Sequence, residues 1–315
     1  MSIHLVTGGA GFIGSNIARE LLNRGISVRI IDDFSTGHRI NVEDIKNDVE
    51  VIDGDIRNYR TVSDAMKNVE VVYHQAALPS VPRSIADPLA TNEVNVTGTL
   101  NILQAAREQG VRRLTFASSS SIYGNAPETV KSENLHARPL SPYAVSKLAG
   151  EKYFQVFHQI YGLETVAIRY FNVFGPWQDP QSPYSAVIPL FIRAYAEGRA
   201  PLINGDGSQS RDFTYIANVV HGNLLAAEVV DAPGKVFNVA CNGSVTVNHL
   251  AEEIARLTGR TDIEPVHGPD RSGDVKHSMA SIERAEVVLG YRPVVSFEEG
   301  LQRTVEFYMT HGFAK

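Results

Sequence analysis

Along the first half of the chain, hydrophobic positions alternate between short continuous runs and longer stretches of helical spacing. Residues 3–7 form an apolar run that ends in glycines. Residues 12–23 follow with Ile13, Ile17, Leu21 and Leu22 on one helical face. A second run, 28–31, ends at Asp32, and further runs cover 49–52, 69–73, 114–117 and 165–170. Helical spacing fills the intervals near 62–67, 97–109 and 142–161. Strands alternating with helices predict an α/β fold, a doubly wound parallel sheet covered on both faces. After Asn172 the rhythm breaks, and Gly175, Pro176, Pro180, Pro183, Gly205 and Gly207 crowd together. Helices near 186–197 and 248–257 persist, and 235–240 reads as one more strand. The pattern divides the chain into residues 1–172 and a smaller C-terminal substrate domain, 173–315, with a segment near 211–241 able to return to the first sheet.

The chain has 315 residues, 43% hydrophobic and 20% charged, enough to bury a sizeable core without staples. A net charge of -6 argues against nucleic acid as the main partner. It leaves room for a phosphorylated ligand held by a few placed arginines. The single cysteine, Cys241, cannot close an internal disulfide and reads as a structural thiol in a reducing compartment. The first residues enter a strand directly, without the charged start and cleavage site of a secretion signal. No apolar run reaches the length of a membrane span. These features predict a cytoplasmic protein without a membrane partner, and the histidine spacing predicts no metal.

Candidate chemistry begins where the first run meets the first helix. Thr7-Gly8-Gly9-Ala10-Gly11-Phe12-Ile13-Gly14 puts glycines at 8, 11 and 14. Glycines there permit a tight turn, close backbone approach to a pyrophosphate, and close helix–strand packing. Amides at the helix N-terminus then hold phosphate. A glycine trio alone also describes a flexible turn, but here a strand precedes it and a helix follows. Asp32 ends the second run at the expected distance, where a carboxylate accepts adenosine ribose hydroxyls and repels a 2′-phosphate, favouring NAD over NADP. Phe12, Ile13, Phe34, Ser35, Thr36 and Gly37 belong to the same expected site. So do Asp55 and Ile56 after the third run, and Gln75, Ala76 and Ala77 after the fourth, because ligands of open α/β sheets sit at the carboxyl ends of strands.

Tyr143 and Lys147 share one face of a helix that Pro142 opens. A tyrosine with a pKa of about 10 must come down to about 7 to act as a base near neutrality, a change of about 4 kcal/mol. A neighbouring ammonium and a positive nicotinamide ring act in that direction. Ser118-Ser119-Ser120-Ser121 closes the fifth run, and a hydroxyl beside Tyr143 would orient the substrate hydroxyl that loses its proton.

From the glycine-rich stretch to Arg271-Ser272-Gly273-Asp274-Val275-Lys276-His277-Ser278, the chain resembles the UDP-sugar 4-epimerases of the extended short-chain dehydrogenase/reductase family. The resemblance implies a Rossmann fold, bound NAD and a UDP-sugar substrate. It also implies Tyr143 as base, Lys147 on the nicotinamide ribose, and Ser119 assisting with Ser120 close by. Asn95 and Phe171 resemble cofactor-pocket residues, and Asn172, Arg211, Arg271 and Asp274 resemble UDP ligands. Pro79 departs from the galactose-type pattern. The run Leu78-Pro79-Ser80-Val81-Pro82-Arg83-Ser84 looks like the branch acting on N-acetylated sugars, with Ser80 beside the substrate. Ser278 falls where a Tyr excludes acetamido groups in strict UDP-galactose enzymes. The implied reaction is 4-epimerisation through a 4-keto sugar, with UDP-N-acetylglucosamine as the first expectation and UDP-glucose as a second substrate. The resemblance also implies a homodimer through the helices near 97–109 and 142–161. A 4,6-dehydratase or decarboxylating relative would need a carboxylate in the serine stretch, which has none. A non-catalytic regulator would be expected to lack the Tyr or the Lys. A UDP-glucuronate 4-epimerase stays open, since its serine stretch looks similar.

Overall fold

The computed structural model describes residues 2–179, 186–269 and 276–313. Seven strands form the central sheet: β1 (Ile3–Thr7), β2 (Ser27–Asp32), β3 (Val49–Asp53), β4 (Val69–His74), β5 (Arg113–Ser119), β6 (Glu164–Tyr170) and β7 (Val236–Val239). Their order is β7-β6-β5-β4-β1-β2-β3, and every pair is parallel. The chain winds outward from β1 in one direction and then, from β4, in the other. The crevice between β1 and β4 is therefore the switch point at which such sheets bind ligands. Apolar runs build these strands because both faces are covered. Leu5, Ile31, Val72 and Ala167 enter one core cluster, while their strand neighbours Val6, Ile30, Val71 and Val166 enter the other. Among the described residues, no helix is long and apolar enough to cross a membrane.

Several elements differ from expectation. The helix expected near 62–67 runs Tyr59–Ala65, because the Asn58 side chain accepts the Thr61 amide and caps it early. The stretch expected to be helical from 97 begins as a π-helical turn, Glu93–Gly98, before the α-helix Thr99–Gln109. Helices Ile216–Glu228, Glu283–Leu289 and Phe297–His311 add to those anticipated. Three short strands beyond β6 and one between β5 and β6 make a four-stranded sheet in the order 245–246, 210–211, 277–280, 130–131. We read two lobes sharing one core, since a single cluster runs from Val6 to Tyr308.

Two buried polar assemblies brace the carboxyl ends of the strands. In the helix Pro142–Tyr161, the Glu151 carboxylate accepts the Ser118 hydroxyl at 2.5 Å and two Arg169 N–H groups at 2.8 Å. Arg169 also donates to the Tyr123 hydroxyl, which donates to Asn238 on β7. On β4, His74 is held between two hydroxyls. Thr99 donates its proton to the Asn95 carbonyl at 2.6 Å, so its oxygen must accept His74 Nε2–H at 2.9 Å. The bare Nδ1 then accepts the Thr7 hydroxyl at 2.7 Å. Burial pulls the His74 imidazole down to about 3, and the Lys147 charge acts in the same direction.

Removing one member of a buried ion pair strands the other, at about 3–5 kcal/mol. Glu151→Ala should lose that much in urea unfolding, and a paired Glu151→Met, Arg169→Met replacement should lose clearly less. For His74, the unfolded imidazole titrates near 6.5 and the folded one near 3, so only the unfolded chain takes up the proton between them. Stability should be complete above about pH 6.5 and fall as pH drops below it, by up to about 1.4 kcal/mol per pH unit. His74→Gln should flatten that slope in pH-dependent denaturation.

Candidate active site

A cleft of about 620 Å³ lies across the carboxyl ends of the strands, lined by Gly8, Ile31, Asp32, Gly54, Gln75, Ser118 and Tyr170 among others. Gly8 turns the chain with φ 66°, and a Cβ there would lie 2.7 Å from the Ala76 amide nitrogen. A Cβ on Gly14 would run into the Gly8 carbonyl. The sequence thus presses the turn after β1 against the segment after β4 and against its own helix, leaving backbone as the cleft wall. Asp32 is buried and accepts the Ala10 amide at 2.9 Å and the Phe34 amide at 2.8 Å, which fixes its carboxylate beside the turn. Burial pushes the Asp32 carboxyl upward, and those two amides oppose the shift. A glycine cradle at a helix N-terminus with a carboxylate at the end of β2 is a donor set that fits a dinucleotide.

Tyr143 and Lys147 stand on the same wall, on successive turns of their helix. Lys147 Nζ donates to the Ala117 carbonyl at 2.8 Å and lies 5.8 Å from the centre of the Tyr143 ring. The Ser119 hydroxyl neighbours the Tyr143 phenol. Its oxygen also accepts the Ser121 amide at 3.1 Å, which sets its rotamer. Burial pushes the Tyr143 phenol up, opposed by Ser119, and pulls the Lys147 ammonium down to about 7. The sequence expectation assigned the lowering to the lysine together with a positive nicotinamide ring; the protein groups alone leave the phenol above its ordinary value. Both side chains are desolvated, and desolvation favours their neutral forms.

Of the expected cofactor residues, Gly8, Gly11, Phe12, Ile13, Gly14, Asp32, Ser35, Thr36, Gly37, Ile56, Gln75, Ala76, Ala77, Tyr143 and Lys147 line the cleft. Four others lie off its wall. Phe34 turns its ring onto Arg39, 3.9 Å away. Asp55 engages Arg57. Phe171 is wholly buried beside Tyr123. Asn95, in the π-helical turn, accepts the Leu78 amide and donates to the Leu78 carbonyl and the Ser146 hydroxyl. Asn95 thus supports Leu78, which is on the wall. Sequence reasoning missed Tyr170, His38 and Trp177 to Asp179, which line the cleft from scattered segments, whereas Ser118 and Arg83 lie in runs it singles out.

A second cavity of about 250 Å³ is lined by Asn172, Arg211, Phe174, Phe213 and Leu202, and Ala186 borders both cavities. Ser278 lies in register beside Arg211, in the strand His277–Ala280. The next residue, Asp212, is wholly buried, and its carboxylate accepts the Cys241 and Ala280 amides. Burial pushes Asp212 up to about 6 despite those bonds. Ser80 has φ 94° and its oxygen accepts the Arg83 amide at 3.4 Å. Ser120 begins the short 3-10 turn after β5. Arg271 and Asp274 lie outside the described residues.

The chain is similar over nearly its whole length to proteins of known type. A UDP-glucose 4-epimerase of Mycolicibacterium smegmatis is 38% identical, with 96% of this chain and 97% of that protein covered. The structure of a UDP-N-acetylglucosamine 4-epimerase from Methanobrevibacter ruminantium, in complex with UDP-N-acetylmuramic acid, superposes with a TM-score of 0.94 at 39% identity, covering 98% and 99% of the two chains. A Thermus thermophilus UDP-glucose 4-epimerase in complex with NAD gives 0.88 at 37% identity, with the same coverage. Residues 4–240 match the NAD dependent epimerase/dehydratase family, and the chain is an enzyme belonging to that family.

Proposed function

We propose that this enzyme is a UDP-sugar 4-epimerase that interconverts UDP-N-acetylglucosamine and UDP-N-acetylgalactosamine and also accepts UDP-glucose. The observation that carries the reaction type is the Ser119 hydroxyl next to the Tyr143 phenol and near Lys147, in a serine stretch without a carboxylate. In this reading, Tyr143 takes the proton from the sugar 4-hydroxyl and returns it, while Ser119 holds that hydroxyl in line and Ser120 supports the turn. Lys147 holds the nicotinamide ribose. When bound, NAD supplies the hydride acceptor and a positive ring that favours the Tyr143 phenolate. Asp32 takes the adenosine ribose hydroxyls, and amides of the glycine turn take the pyrophosphate. Asn172, Arg211, Arg271 and Asp274 take the UDP moiety, the arginines through bidentate charge-assisted bonds. The meeting of the two cavities at Ala186 supports a substrate that spans both.

The choice of sugar rests on Ser278, a small side chain one strand from Arg211, and on the run around Ser80. We place the reaction in the cytoplasm on the lone cysteine. A homodimer also belongs to this proposal. Val145, Val156 and Ile160 expose apolar surface along the helix Pro142–Tyr161, and Leu89 is 77% exposed on the neighbouring helix.

Purified protein without added NAD should convert UDP-N-acetylglucosamine to its 4-epimer, and Tyr143→Phe should lower kcat by about a thousandfold. Ser278→Tyr should abolish turnover of the acetamido sugar and spare that of UDP-glucose. Conversion of UDP-glucuronate alone, or loss of water from dTDP-glucose, would refute the assigned reaction. In light scattering, the wild type should run as a dimer and Ile160→Glu as a monomer. A monomeric wild type removes the dimer from the proposal.

A further inference from the structure

The segment after Asn172 crosses from the smaller lobe to the mouth of the cofactor cleft. Trp177, Gln178 and Asp179 line the same cleft as the glycine turn and Asp32. Trp177 holds φ 71°, a conformation that a bulky residue adopts only when its surroundings impose it, at about 1–3 kcal/mol. What imposes it is two contacts of the indole, with hydrogen bonds to the chain on either side. The indole lies under the Arg19 guanidinium, 4.5 Å from the ring centre, and meets the Phe307 ring at 5.0 Å. Arg19 is itself pinned by Asp44 and by the Ser15 and Asn41 carbonyls. On either side of the indole, Asn16 donates to the Pro176 carbonyl at 3.3 Å, and Tyr308 donates to the Gln178 carbonyl. His38, which follows the Asp32 loop, meets the Asp179 carboxylate at 3.2 Å. The strap is thus fastened to the helix that begins at the glycine turn, to the loop after β2, and to the C-terminal helix.

Resting on the NAD-dependent reading above, we infer that Trp177, with the His38–Asp179 pair, is a cofactor-retaining residue: the strap from Gly175 to Asp179 closes the cleft over the dinucleotide and sets how slowly NAD leaves. The strain at Trp177 is offset by the Arg19 and Phe307 contacts, so the closed arrangement depends on that one side chain more than on the loop's own preference. A reaction in which the oxidised cofactor is regenerated at every turnover profits from such closure.

The test is NAD release from the holoenzyme. Protein is loaded with NAD, gel-filtered, and mixed with ethanol and an excess of alcohol dehydrogenase, so that released NAD appears as absorbance at 340 nm. Trp177→Ala should release NAD about tenfold faster than wild type. Asp179→Asn, which leaves the indole in place, should accelerate release by a smaller factor. If circular dichroism shows Trp177→Ala unfolded, Arg19→Met removes the cation alone and should give an intermediate rate. Release rates within about twofold of wild type in the folded variants overturn the inference. So does rapid release from a wild type that still epimerises UDP-sugar, which leaves the proposed function standing. A wild type that neither holds NAD nor turns over UDP-sugar overturns both.

Discussion

The buried Glu151 carboxylate is the constraint on which the catalytic geometry depends. It sits one helical turn beyond Lys147 and two beyond Tyr143, and it binds β5 through Ser118 and β6 through Arg169. A carboxylate and a guanidinium removed from water each lose several kcal/mol of hydration, so the assembly is stable only with its hydrogen bonds complete. Completeness has a structural consequence. Ser118 cannot move without freeing a buried carboxylate, and Ser119, the next residue, carries the hydroxyl that meets Tyr143. The helix, the strand end and the serine hydroxyl are set relative to one another by one pair of charges that never reaches the cleft.

The His74 assembly does for the glycine turn what Glu151 does for Tyr143. Its hydrogen bonds run from Thr7, the residue before Gly8, through the imidazole to Thr99 and the Asn95 carbonyl. The Asn95 amide then reaches Ser146, whose hydroxyl donates to the Tyr143 carbonyl. The glycine turn and the helix that carries Tyr143 are thus joined by one continuous path of polar contacts. The π-helical turn at 93–98 belongs to this design, since Asn95 lies within it and its amide satisfies both Leu78 and Ser146.

How much of this was legible in the sequence follows from where each signal resides. The apolar runs and the glycine spacing are local, and they located the sheet, the cofactor turn and Asp32. Tyr143 and Lys147 were legible because helical spacing puts them on one face. The contacts of Trp177 with Arg19 and Phe307 join residues more than a hundred positions apart, and no local pattern announces them. Phe34 and Asp55 were placed by proximity to strand ends, and their contacts with Arg39 and Arg57 are tertiary or local details that this proximity does not reveal. One miss had a readable cue. Ser296-Phe297-Glu298-Glu299 is the spacing of a capping box, and the Ser296 oxygen does accept the Glu299 amide at 3.2 Å at the start of the last helix.

The protonation states of Tyr143 and Lys147 tie the base to its surroundings. An ammonium about 6 Å from a phenolate contributes about 3 kcal/mol at an effective dielectric of 20. Bringing a tyrosine from about 10 to about 7 needs about 4 kcal/mol, before the burial that pushes Tyr143 the other way is counted. Lys147 is also pulled to about 7, so at neutral pH its charge is only partly present. Magnitudes therefore decide against the lysine as sole activator. The protein holds a neutral tyrosine with Ser119 on its hydroxyl and Lys147 anchored to the Ala117 carbonyl. Further positive charge in the cleft is required before the phenol becomes a competent base. On the proposed assignment of Tyr143 as base, a site built this way stays inactive until the oxidant is in place, which would couple proton removal from the substrate to the presence of a hydride acceptor.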